Sequence, residues 1–62
     1  MNDQDTITAA YADALKVLFK VLSAQYITAA GNKALEQHAD EAFKAGVAIA
    51  RKARDAALGL LH

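Results

Sequence analysis

Between Ile7 and Leu61, apolar residues recur every three or four positions, and the pattern is broken once, at Gly31-Asn32. Such spacing puts apolar side chains on one face of an α-helix. Glycine can take the left-handed conformation that ends a helix, and asparagine can cap the next one. The pattern therefore predicts two helices, over about residues 5–30 and 33–60, joined by a turn at residues 31–32 and folded back as a hairpin.

The first helix should start near Asp3 to Thr6, where acidic and hydroxyl side chains suit the free amides and positive dipole end of the first turn. Its stripe is Ile7, Tyr11, Ala14, Leu15, Leu18, Leu22, Tyr26 and Ala29, flanked by Val17 and Val21 on one side and Phe19 on the other. Together these widen the apolar arc to about 200°, twice what a surface helix needs. Asp13, Lys16, Lys20 and Ser23 form a narrow polar face, on which Ile27 stands out as an apolar exception.

The second helix carries Leu35, Ala39, Ala42, Phe43, Gly46, Ile49, Ala50, Ala53, Ala57, Leu60 and Leu61 on one side. Its centre is made of small residues. Ala42, Gly46 and Ala50, four apart, let a neighbouring backbone approach closely while the large side chains of the first helix fill the flanks. In lipid that spacing would suggest transmembrane association, but Glu41, Lys44, Arg51 and Lys52 make this helix water-facing. The longest apolar run, Ala14 to Ala30, is interrupted by Lys16 and Lys20 and is shorter than the roughly 20 residues a spanning helix requires.

A rival reading exists, because positions 11, 18, 25, 32, 39, 46, 53 and 60 keep one heptad phase through the break. One long helix paired with a second chain would satisfy that phase. It would also place Gln25, Thr28 and Asn32 in the seam, and a glycine inside a helix costs about 1 kcal/mol. The hairpin is favoured.

Charge gives a check on direction. The second helix is acidic early (Glu36, Asp40, Glu41) and basic late (Lys44, Arg51, Lys52, Arg54), which complements its own dipole. Folding back would set Lys20 near Asp40 and Glu41, Asp13 near Arg51 and Arg54, and Asp3 and Asp5 near the basic end, with Asp40 and Lys44 also paired along their own helix. Exposed pairs contribute only about 0 to 1 kcal/mol each, so they select orientation more than they stabilise it.

Size then changes the picture. A chain of 62 residues with 55% hydrophobic side chains is one domain at most, residues 1–62, and cannot enclose its apolar content well. Cysteine is absent, so disulfides and thiolate metal sites are excluded, and oligomerisation is the stabilising device left. The expected architecture is all-α: a two-helix antiparallel hairpin dimerising into a four-helix bundle. Tyr11, Leu15, Leu18, Leu22, Ala42, Gly46, Ile49 and Ala53 are the candidate core and interface residues. The expected partner is a second copy, with another helical protein as the alternative. The polar, acidic opening from Met1 to Asp5 does not resemble a secretory or transit segment, so the expected location is cytoplasmic.

Candidate chemistry is sparse. His38 lies at the edge of the apolar face without a second ligand at i+3 or i+4 facing the same way, and His62 ends the chain, so neither makes a metal site. Glu36, Asp40 and Glu41 turn outward, unlike the inward glutamates of a di-metal bundle. No phosphate-binding loop or activated nucleophile is present, so an enzyme, a cofactor and a resident metal are not expected. Leu58 to His62 is apolar enough to need cover, which packing on Ile7 and Tyr11 would provide; a docking tail is the alternative.

The expected function is that of a small self-associating protein-protein interaction or assembly module; the alternative is nucleic-acid contact by the basic cluster Arg51, Lys52 and Arg54, although seven basic and seven acidic residues cancel and give no attracting field. In architecture the expected hairpin dimer is similar to the Rop family of plasmid RNA-binding regulators, and Leu35, His38, Ala39, Asp40 and Glu41 resemble a stretch of that family's second helix. The likeness implies a four-helix bundle and RNA contact as expectations, and it carries no binding residue across. A membrane-surface amphiphile using Leu15 to Ile27 is a third class.

Overall fold

A computed structural model describes residues 2–61. The described chain is all-helical, with α1 (Asp3–Ala29) and α2 (Lys33–Gly59) packed against each other as a hairpin. Tyr11, Leu18 and Tyr26, in ascending order along α1, meet Arg54, Gly46 and Asp40, in descending order along α2.

α1 starts at Asp3, at the front of the expected Asp3 to Thr6 range, but its cap is neither an acidic residue nor a threonine. Asn2 is the N-cap: its side chain accepts from the Asp5 amide at 2.8 Å, leaving Asp3 and Asp5 inside the first turn, where they favour the positive helix end. Thr6 and Thr8 donate their hydroxyls back to the carbonyls of Asn2 and Gln4, which keeps these polar side chains satisfied along the helix.

The break is as short as two helix ends allow. Ala30 takes the left-handed conformation with φ 49°, and Gly31 follows at φ 86°. Ala30 donates its amide to the Tyr26 carbonyl at 3.2 Å and Asn32 to the Ala29 carbonyl at 3.0 Å, so the last carbonyls of α1 find partners. Asn32 then caps α2 by accepting from the Leu35 amide at 3.2 Å. The glycine and asparagine were readable as stop and start. The second left-handed residue was not, because alanine carries a Cβ that disfavours it.

Along α1 the half-covered positions are Ile7, Tyr11, Ala14, Leu15, Leu18 and Leu22, with Ala29 buried, which is the expected stripe without Tyr26. α2 is turned from the expected face. Glu36, Ala39, Asp40, Phe43, Gly46, Val47, Ala50, Arg54, Ala57 and Leu58 are its least exposed residues, while Leu35, Ala42, Ile49, Ala53 and Leu60 are exposed. The apolar arc of α2 is wider than α1 can cover, and the uncovered part is the row that carries Ile49. Leu60, expected to be hidden on Ile7 and Tyr11, is 84% exposed. His62 lies outside the described residues.

Close approach at the centre follows from Gly46. A Cβ built there would stand 2.6 Å from Leu18 Cδ2, inside any tolerable carbon contact. Gly46→Leu should therefore destabilise the chain by about 1–3 kcal/mol through overpacking, read as a lowered midpoint in thermal denaturation. Adding Leu18→Ala should recover part of the loss, and additive losses would show that the two sites do not meet. At the turn, Ala30→Gly removes a left-handed alanine costing about 1–2 kcal/mol, against roughly 0.4–1 kcal/mol of added unfolded-chain entropy. The expected outcome is a small rise in the same midpoint.

Candidate interaction surface

Two helices side by side make a slab, and here the Cα extents are 46 × 18 × 7 Å. Only Ala29 and Ala39 are buried among the described residues. Every other described side chain lies at the seam, on one of two broad faces, or on an outer edge.

Helical phase and the surface hollows sort the residues between the faces. Ala10 and Ala14 from α1 line one open groove with Ala50, Ala53 and Ala57 from α2, and Thr28 lines another with Leu35 and His38. At 100° per residue, Val17, Val21 and Ala24 continue the α1 side of this face, and Ala42 and Ile49 continue the α2 side. No charged residue falls on these flanks between Ala10 and Thr28 or between Leu35 and Ala53. Ile49 is 70% exposed and Val17 is 59% exposed there.

The other face is mixed. Phe19, 60% exposed, lines a hollow with Leu22, Ser23 and Tyr26. Opposite them, the phase of α2 brings Lys33, Asp40, Lys44 and Arg51.

The eight candidate interface residues are thus divided. Tyr11, Leu15, Leu18, Leu22 and Gly46 sit at or beside the seam within the chain, whereas Ala42, Ile49 and Ala53 are exposed on the uncharged face. Val17, Val21 and Leu35 join them there, with Val21 and Leu35 about half-exposed. In the sequence, Val17 and Val21 looked like flanks of the α1 stripe. Only the direction from which α2 approaches shows that they remain uncovered.

The expected ion pairs across the hairpin do not form. Among the described residues, Asp13 pairs with Lys16 at 3.6 Å within α1 and Arg54 with Asp55 at 2.9 Å within α2. Asp13 and Lys20 lie roughly half a turn from the α1 seam and cannot reach across. The polar ties between helices are of another kind. The Tyr26 hydroxyl donates to Asp40 Oδ1, and the Arg54 guanidinium carbon lies 4.4 Å from the centre of the Tyr11 ring. A cation over a ring contributes about 0.5–1 kcal/mol at exposed sites.

Arg54 is therefore held by Tyr11 and Asp55, and the basic cluster presents Arg51 and Lys52 as its exposed members. His38 is exposed beside Leu35, and no group of three metal-ligating side chains gathers among the described residues. No described helix is long and apolar enough to cross a membrane. The chain matches no protein-family model, and no curated protein or solved structure is significantly similar to it.

Donating to Asp40 holds the Tyr26 phenol in its protonated form and pushes its pKa up from 10.0 to about 12, with partial desolvation and the charges of Asp40 and Glu36 acting the same way. A pKa raised by folding means this contact contributes in full below pH 10, the ordinary tyrosine value, and is lost as pH rises through about 12. In Tyr11→Phe, where Tyr26 is the one remaining tyrosine, spectrophotometric titration should show that elevated midpoint. Adding Asp40→Asn should return it toward 10.

Proposed function

We propose that this protein is a small self-associating helical module whose role is carried by its surface, and that two copies of an antiparallel hairpin join into a four-helix bundle. The opposed order of contacts along α1 and α2 supports the antiparallel arrangement. One observation carries the association: the accessible surface of the chain is 4759 Å². A folded monomer of 6.6 kDa is expected to expose about 3900 Å². The excess, about 900 Å², matches the roughly 800 Å² that each partner contributes to a stable interface.

Its composition points the same way. Val17, Val21, Leu35 and Ile49 are all exposed on one face, and a contiguous apolar face of this kind supports an interaction site. With formal net charge +0, copies meet without repulsion. An assembly or interaction role needs no reactive group, and the surface features already described suffice for it. Nucleic-acid contact is less well supported, because Arg54 is engaged within the chain and leaves a narrow cationic patch.

Light scattering across a dilution series, with circular dichroism on the same samples, tests the proposal. Mass should fall and helicity should fall with it as the protein is diluted, because association and folding share one free energy. A fully helical monomer at millimolar concentration would overturn the reading.

A further inference from the structure

We infer that the second copy docks on the uncharged face of the slab, centred on Val17 and Ile49, and that the face bearing Phe19 stays free. The inference rests on the self-association proposed above and selects its surface.

Three observations choose this face. First, the flanks that form it carry no acidic or basic residue between Ala10 and Thr28 or between Leu35 and Ala53, whereas the opposite face holds Lys33, Asp40, Lys44 and Arg51. Burying the lysine and arginine charges of the opposite face without partners is costly, whereas the one cation at the rim of this face, Arg54, already has Asp55 beside it. Second, Val17 and Ile49 lie near mid-length, since adjacent Leu18 touches Gly46 at the centre of α2. The energetic centre of an interface is its fully desolvated middle, and Ile49 there is 70% exposed in the single chain, against 60% for mid-length Phe19 on the opposite face.

Third, the face is complementary to itself. A two-fold interface applies one patch to its own copy, so bulky and small positions must both occur on it. Val17, Val21, Leu35 and Ile49 supply the bulk. Ala10, Ala14, Ala50, Ala53 and Ala57 line an open groove of about 320 Å³ that can receive such side chains, with Ile7, Tyr11 and the Asp55-paired Arg54 also on its lining. The excess exposed area of the chain is about that of one such interface, enough for a single second copy.

Sedimentation velocity on the full chain, with circular dichroism in parallel, separates the possibilities. Ile49→Glu should weaken association by about 100-fold or more, because symmetry places the new charge in the interface twice, and Ile49→Ala by about 10-fold. Phe19→Glu should leave the dimer intact. If Ile49→Glu loses helicity as well as mass while Phe19→Glu keeps both, the assignment holds, since Ile49 is largely exposed within one chain and has little to stabilise there. If Phe19→Glu dissociates the protein and Ile49→Glu does not, self-association stands and the choice of face is overturned. A wild-type monomer that binds zwitterionic phosphatidylcholine vesicles would overturn both and assign the face to lipid.

Discussion

A single neighbouring helix covers an arc of about 100°, and both helices of this chain are apolar over more than that. Everything else in the structure follows from the mismatch. The seam takes the leucines of α1 and the small centre of α2, and the remainder of each arc is left on the slab's faces. Among the described residues only two alanines become buried. Exposed valines and isoleucines are therefore the direct result of apolar arcs wider than one neighbouring helix covers.

Size complementarity, rather than charge, sets how the helices meet. Leu18 against Gly46 fixes the central approach, and no ion pair links the helices among the described residues. The contacts that do cross, Tyr26 to Asp40 and Arg54 over Tyr11, use aromatic side chains with a polar or π-electron handle. Such groups cover apolar surface and satisfy a charge together. Asp40 can thus lie near the seam on a tyrosine hydroxyl, and Arg54 beside a ring with its own helix neighbour Asp55 as counter-charge.

The helices and the break were legible in the sequence because periodicity and Gly31-Asn32 are local signals. So was the α1 stripe from Ile7 to Leu22, where large side chains leave one orientation. The face of α2 was harder to read. Ala42, Gly46, Ala50 and Ala53 are all small, so periodicity alone cannot say which of them touches α1, and Glu36, Asp40 and Arg54 looked too polar to lie beside it. The division of Val17 and Ile49 from the seam depends on the rotation of each helix about its axis, which no local pattern encodes. Ala30 in a left-handed conformation was similarly hidden, since its need arises from closing the turn.

The tight connection at Ala30 to Asn32 also ranks the contacts by the entropy of closing them. Tyr26 and Asp40 are separated by 14 residues, whereas Tyr11 and Arg54 are roughly three times farther apart along the chain, a difference of about 1 kcal/mol in loop-closure entropy. Loop-closure entropy thus favours pairing beside the bend, where Ala29 and Ala39 are buried, over pairing at the distal tips that carry Ile7 and Leu60.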